Sequence, residues 1–405
     1  MWGESVFYGS NGIAGAMMPV DIVKLVSVPN TQFKEVIRPV PMLSGQFQLT
    51  PALLVGAYYQ FRWKANRMPA VGSYFSQTDT APEGAEQLLL AGPGSPFLNN
   101  APRLADQRAR NAGQGGVELR WRNDETDYGF YLVRFHSKTF QQVNNIGPTA
   151  TNIPAQGCAG AGGVVGGGNT CFIGGPADYH LAYHEGITAL GGSFSHTLGD
   201  VNLAGETSIR FNQDLASSNA FDASAFGAPA NDNRHNTSYA LGRTAHLNLS
   251  ALWTIAPNPL FHEATLLAEV AWNRVLAVTH DPVDSTGHTA LDPNATRSAT
   301  ALRAVFEPTY RQVASGVDLG VPIGLGYSPR GSRSMALGPG AFPSDGGGDF
   351  SIGLDGSYLD RWRFGLSYVH YFGPVGTFLN SANAFTYKQS LADRDFVSLA
   401  LRTTF

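Results

Sequence analysis

The sequence is poor in charge: Asp, Glu, Lys and Arg make up 14% of its 405 residues, against roughly 25% in an ordinary soluble domain. It has two cysteines, too few for a disulfide scaffold of this length. It has no basic run, and a net charge of −4 argues against a nucleic-acid partner. No apolar stretch approaches the ~18 residues that a transmembrane helix needs. Nor does the chain open on a signal peptide: Met1-Trp2-Gly3-Glu4 supplies no basic n-region, and no apolar segment follows. What it has instead is 47 Gly, 24 Pro, 11% aromatic and 43% hydrophobic residues. So much glycine disfavours a long-helix protein, while the apolar content excludes disorder. A β-rich chain with many turns remains.

Alternation with a period of two runs along most of it. In 51–64, Leu53, Val55, Ala57, Tyr59, Phe61 and Trp63 share one face. In 116–123, Val117, Leu119 and Trp121 oppose Glu118, Arg120 and Arg122. Segment 201–212 sets Leu203, Ile209 and Phe211 against Glu206, Ser208 and Arg210, and 246–255 sets Leu247, Leu249 and Trp253 against His246, Asn248 and Ser250. Similar segments lie near 261–278, 298–311, 316–327, 349–359, 362–372 and 394–405. Short turns, as at Gly199-Asp200, alternate with long Gly/Pro/Asn/Ser-rich stretches near 65–112, 139–176, 213–236, 279–297, 328–348 and 373–393.

Hairpins with short turns on one side and long loops on the other are the layout of a transmembrane β-barrel. A soluble sandwich also alternates, but its loops rarely sort by length. The last strand points the same way. Val397, Leu399, Leu401 and Phe405 share a face, interrupted by Thr403. This resembles the signal read by the outer-membrane barrel insertion machinery; an edge strand of a soluble sheet is the plainer reading. The expected fold is an all-β, antiparallel up-and-down transmembrane barrel of about fourteen strands, thirteen of them after Ser44 and one more over residues 2–8. Closure wants an even number. Residues 1–43 form an N-terminal strand plus a segment able to plug or constrict the lumen, and 44–405 form the barrel.

The opening third carries a family resemblance. Trp2-Gly3-Glu4-Ser5, Pro19-Val20-Asp21, Leu25, Lys34-Glu35 and Pro39-Val40-Pro41-Met42 resemble a Gram-negative outer-membrane family whose function is undefined. Tyr59-Gln60-Phe61-Arg62-Trp63 and Gly72-Ser73-Tyr74-Phe75-Ser76 extend the match, which is best over residues 1–80. The resemblance implies an outer-membrane location and movement of hydrophobic compounds of the alkane, steroid or fatty-acid type. It implies a link to transporters of the resistance-nodulation-division type, with outer-membrane lipid and lipopolysaccharide as surroundings. Family members carry a signal peptide and a sizeable region before the Trp-Gly-Glu-Ser stretch, so the mature protein is expected to begin upstream of Met1.

Several residues are candidates for a substrate path. Arg62, Arg120, Arg122 and Arg134 come from consecutive strands, and on one face they would form a basic patch for a carboxylate. Pairing with neighbours such as Glu118 across strands is the simpler reading. A charge facing lipid at the midplane costs ~2–4 kcal/mol, so the charged face is expected to line the lumen. Lys24, Lys34 and Glu35 charge the non-alternating segment 9–43. Leu88-Leu89-Leu90 and Phe97 sit in the loop 66–113, where an apolar run marks a landing site or packs within the loop. Cys158 and Cys171 bracket a Gly-rich run, and a disulfide is expected there.

Enzyme signatures are weak. Asp178, His180 and His184 share a strand face but lack the helical spacing of zinc proteases, and Ser195 and His196 point apart. The glycine runs at 166–168 and 346–348 lack a following Lys-Ser/Thr, and no His or third Cys lies at ligand spacing from the cysteines. The expected function is therefore a non-enzymatic channel for hydrophobic or amphipathic small molecules, with no cofactor or metal. A porin for polar organic acids and a structural or adhesive surface barrel are the alternatives.

Overall fold

The computed structural model describes residues 2–284, 287–330, 336, 342–359, 361–382 and 384–403. Three short helices come first: α1 (Ile13–Met17), α2 (Ile22–Ser27) and α3 (Phe33–Val36). Strands β1 (Met42–Thr50) and β2 (Leu53–Gln60) follow, then the short pair β3 (Gln87–Leu88) and β4 (Ala101–Pro102). β5 (Gln114–Asn123) and β6 (Thr126–Phe135) form a hairpin. A loop unit holds β7 (Gln141–Thr151), α4 (Ala155–Cys158), β8 (Val164–Val165) and β9 (Cys171–Ala182). Next come β10 (Ile187–Leu198), β11 (Val201–Asp214), the short β12 (Phe221–Asp222), β13 (Leu241–Ile255), β14 (Glu263–His280) and β15 (Ser298–Ala314). The last are β16 (Val317–Gly320), β17 (Ile323–Arg330), β18 (Gly348–Tyr358), β19 (Trp362–Phe372) and β20 (Phe396–Thr403).

Fourteen of these strands form one antiparallel sheet in the order β1-β2-β5-β6-β10-β11-β13-β14-β15-β16-β18-β19-β20, with β17 between β15 and β18. β16 and β17 are one crossing, interrupted because Pro322 has no N–H for the ladder. The fourteen strands therefore make thirteen crossings among the described residues. The fourteenth strand is thus a broken crossing, not residues 2–8: these form no strand, because side chains of the wall rather than a neighbouring backbone satisfy their N–H groups.

The two faces differ in the sense opposite to a soluble protein. Outward lie Val117, Leu119, Phe130, Leu132, Leu190, Ile209, Leu249, Val270, Ile352, Leu366 and Leu399, all exposed. Inward lie Glu118, Glu206, Arg210, His246, Asn248, Glu269 and Asn273, all buried. Trp121, Tyr128, Trp253, Tyr358 and Trp362 ring the outer face near the short turns, as aromatic residues do at a membrane interface.

The sheet curls round segment 2–36, which touches β2, β6, β11, β14, β15, β18 and β19 in turn. Among the described residues β1 and β20 do not pair with each other. Instead the loop after β2 meets the start of β20 at the loop rim, where the Tyr74 hydroxyl donates to the Asp395 carbonyl (2.8 Å), Arg394 donates to the Tyr74 carbonyl, and Phe75 meets Phe396 edge-on at 5.3 Å. Among the described residues the long connections lie at this rim. Stretch 139–176 is not a plain loop: β7 and β9 pair over eleven register positions and, with β8 and β12, form a second sheet.

Candidate functional site

Segment 2–36 is irregular, so its backbone polar groups need partners within the lumen. The wall supplies them. Glu269 accepts from Ser5 Oγ (2.7 Å), from the N–H groups of Val6 (3.2 Å) and Tyr8 (3.1 Å), from Phe7 N–H, and from Asn248 Nδ2 (2.6 Å). Glu206 accepts from Glu4 N–H at 3.2 Å. Arg210 donates to the carbonyls of Ser10 (3.2 Å), Asn11 (2.7 Å) and Gly12 (2.9 Å). Gln60 Nε2 and Lys138 Nζ donate to the Met17 and Ala16 carbonyls at 2.6 and 2.8 Å. Between these anchors Ile13, Ala16 and Met17 pack on Tyr58, Tyr131, Val133, Ile187 and Ala189 of the wall. Gly191 makes room for this: a Cβ there would stand 2.7 Å from Ile13 Cδ1.

Between this plug and the loop layer lies a cavity of about 460 Å³, within the ~300–1,000 Å³ of small-molecule sites. Phe7, Met18, Val20, Leu25, Val28 and Phe33 line it from the plug, and Phe75, Phe140, Phe378 and Phe385 from the loops. Val369 and Phe396 line it from the wall and the start of β20. Charged groups are sparse here: Lys138, Arg210, Arg303, Asp214, Asp349 and, from the last long loop, Lys388. Arg303 is neutralised by a two-point pair with Asp349 at 3.1 and 2.8 Å. Lys138 lies in the turn after β6, and burial, with the Arg210 charge beside it, pushes its ammonium down to about 7.

The residues singled out from the sequence are dispersed. Glu118 is buried on the lumen face and accepts from Gln46 Nε2 at 3.0 Å. Arg120 and Arg122 follow it toward the turn rim, where Arg122 makes a two-point pair with Asp127 at 2.7 and 3.0 Å. Arg62 lies beyond β2 at the opposite rim. Gln60 pairs with Gln114 and Leu54 with Arg120, so about 20 Å of strand separates the two levels at ~3.3 Å per residue. Arg134 is on the other face, exposed in the row of Phe130 and Leu132. The expected basic patch does not form, because strand parity turns Arg134 outward and strand length carries Arg62 away.

Lys24 Nζ donates to the Glu35 carbonyl (2.9 Å), and the Glu35 carboxylate takes the Gln32 N–H (3.0 Å); Lys34 is exposed nearby. These contacts shape the plug itself. Leu88 packs beneath the loop layer with Tyr179, Leu181 and Tyr183, while Leu89 projects outward at 73% exposure. The Leu90 N–H bonds Asn100, and Phe97 covers Gly175. None of the four lines the cavity. Cys158 and Cys171 are joined as a disulfide, their Cα atoms 5.5 Å apart.

His184 Nδ1 meets the Tyr239 hydroxyl at 3.2 Å, Glu185 pairs with Arg110 at 3.1 Å, and His196 meets Thr126 at 2.7 Å, so these groups do not converge. Among the described residues no group of three His, Cys, Asp or Glu is placed to hold a metal ion. Phe405 lies outside the described residues.

Residues 1–405 match a protein family described as "Protein of unknown function (DUF1302)". The chain belongs to this family. No curated protein matches it. Among solved structures it is similar to "Salmonella typhi OmpF complex with Daunomycin", at 9% identity and a TM-score of 0.33, over 91% of this chain and 92% of that one.

The sequence reading did not single out Lys138 or the phenylalanines of the cavity. Lys138 stands alone in a polar turn, and Phe33, Phe75 and Phe378 lie in stretches without periodicity. Only a lone cation following the aromatic strand 128–135 hinted at it.

Proposed function

We propose that this DUF1302-family chain is an outer-membrane channel that admits small hydrophobic or amphipathic molecules, of alkane, steroid or fatty-acid type, past a plugged lumen. The observation that carries this reading is the phenylalanine-rich chamber between plug and loops. A wall lined with buried charge is a poor path for an apolar solute, since each polar group displaced from its partners costs ~1–3 kcal/mol. An apolar chamber gives such a solute a place to leave water. Access is from the loop rim, and onward passage requires segment 2–36 to shift from the carboxylates that hold it. Transfer is passive, without bond making or breaking.

The apolar outer band with its aromatic ring supports residence in lipid, so the surroundings are outer-membrane lipid and lipopolysaccharide. Insertion through the C-terminal strand and hand-over to a resistance-nodulation-division type transporter belong to the same proposal. The rival organic-acid porin loses its support with the dispersed arginines.

The test is binding of an apolar fluorophore, 1-N-phenylnaphthylamine, to the chain in detergent micelles, with alkanes and sterols as competitors. Saturable binding, weakened at least tenfold by the chamber-filling Val28→Trp, is expected. Binding that does not saturate, or that ignores Val28→Trp, defeats the proposal.

A further inference from the structure

The chamber holds two buried cations, Lys138 and Arg210, that differ from the half-buried arginines. Arg303 has Asp349, Arg103 has Asp106 and Arg110 has Glu185 as carboxylate partners. Lys138 and Arg210 flank the Phe135 ring, with Nζ 4.9 Å and the guanidinium carbon 5.9 Å from its centroid. Among the described residues no carboxylate comes within 4.0 Å of either. Lys138 is satisfied by the Ala16 and His136 carbonyls, and Arg210 by three plug carbonyls, with its Nε–H buried and unpartnered. The carboxylate of Asp214 also lines the chamber, but it is occupied by Ser137 Oγ, Gln141 Nε2 and Gln213 Nε2. Buried charges in proteins are normally paired, because an isolated ion away from water is costly. In the lining at this end Lys138 and Arg210 outnumber the one carboxylate, Asp214, while Glu206, which also acts on Arg210, lies outside the lining; a phenylalanine-lined chamber with that excess of cation is complementary to a molecule with an apolar body and an anionic head.

We infer that the chamber's ligand is an amphipathic carboxylic acid, its carboxylate held at the Lys138–Arg210 end beside Phe135 and its apolar body among Phe33, Phe75 and Phe385. This rests on the chamber being the binding site and adds the chemistry of its head group. A bound carboxylate supplies a countercharge within reach of both cations, so an uncharged analogue of the same body binds more weakly.

The experiment compares cis-parinaric acid with its methyl ester, by fluorescence, on the 405-residue chain in uncharged detergent at pH 6.5. The acid is expected to bind at least tenfold more tightly than the ester. Lys138→Met should remove most of that difference by weakening the acid far more than the ester, and Lys138→Arg should keep it. Heat-modifiable mobility on SDS gels checks that each variant is folded. Should Lys138→Met not fold, the acid-to-ester ratio of the native chain and of Lys138→Arg decides. Equal affinities for acid and ester overturn the head-group assignment and leave the apolar chamber standing. Saturable binding of neither molecule overturns both.

Discussion

The middle of the wall and its two edges are built differently. β13, β14 and β15 have 15, 18 and 17 residues, whereas β1, β2 and β20 have 9, 8 and 8. In the middle the inward side chains His246, Asn248, Glu269 and Asn273 are almost wholly buried, although all are polar. At the edges β1 is exposed along nearly its whole length, and β20 alternates between exposed and half-buried before becoming exposed on both faces. The polar residues of the middle are buried because the plug covers them, and they tolerate burial because its N–H and C=O groups complete their hydrogen bonds. Among the described residues β1 and β20 each pair with a strand on one side only, so the ladder groups of the other side stay open. Burial inside this sheet follows the plug rather than residue polarity.

The comparison breaks most visibly at Glu269. Glu269→Ala orphans the Ser5, Val6, Phe7 and Tyr8 donors together, a loss of about 4 kcal/mol or more at ~1–3 kcal/mol per unsatisfied group. Planar-bilayer conductance should then rise severalfold as the plug loosens, and an unchanged conductance would place its hold elsewhere. On the outer face, middle and edge should behave alike. Leu249→Arg and Leu399→Arg are each expected to cost ~2–4 kcal/mol in urea titrations of vesicle-embedded protein. Ala400→Arg, one residue along on the inward face, should cost much less. If Leu399→Arg were as mild as Ala400→Arg, β20 would not face lipid.

A pH dependence sharpens the contrast between plug and wall. Lys138, depressed to about 7, is charged below that pH and loses its proton above it. Affinity for the acid should therefore be level below pH 7 and fall above it, by up to tenfold per unit, while ester affinity stays flat. Arg210, Glu206, Asp214 and His136 also face this site, and burial pushes the His136 imidazole down. The unliganded chain, binding fewer protons than its unfolded form between about 7 and 10.5, should gain stability as pH rises across that window. The smallest effect is expected from the combined Arg62→Ala, Arg122→Ala and Arg134→Ala change. Organic-acid flux should alter less than twofold, since the three occupy different rims and faces; abolished flux would revive a basic path.

Much of the wall was legible because a strand writes its two faces into alternate residues. Leu119 against Glu118, and Leu249 against Asn248, reveal an apolar outside before any fold is known. Parity alone could mislead at strand ends. Arg134 was read with the lumen residues, although it stands two residues from Leu132 and hence on the same side. Residues 2–8 were read as a strand, but their partners are Glu206 and Glu269, some two hundred residues away, and no local pattern announces such contacts.

The sequence by itself determined the strands, the sorting of short turns from long loops, and the outward apolar face, because each depends on residues close together in the chain. The tertiary structure decided where segment 2–36 runs, which buried charges found partners and which did not, and where the phenylalanines meet. Those outcomes depend on contacts between residues remote in sequence, which form only once the sheet has curled round its plug.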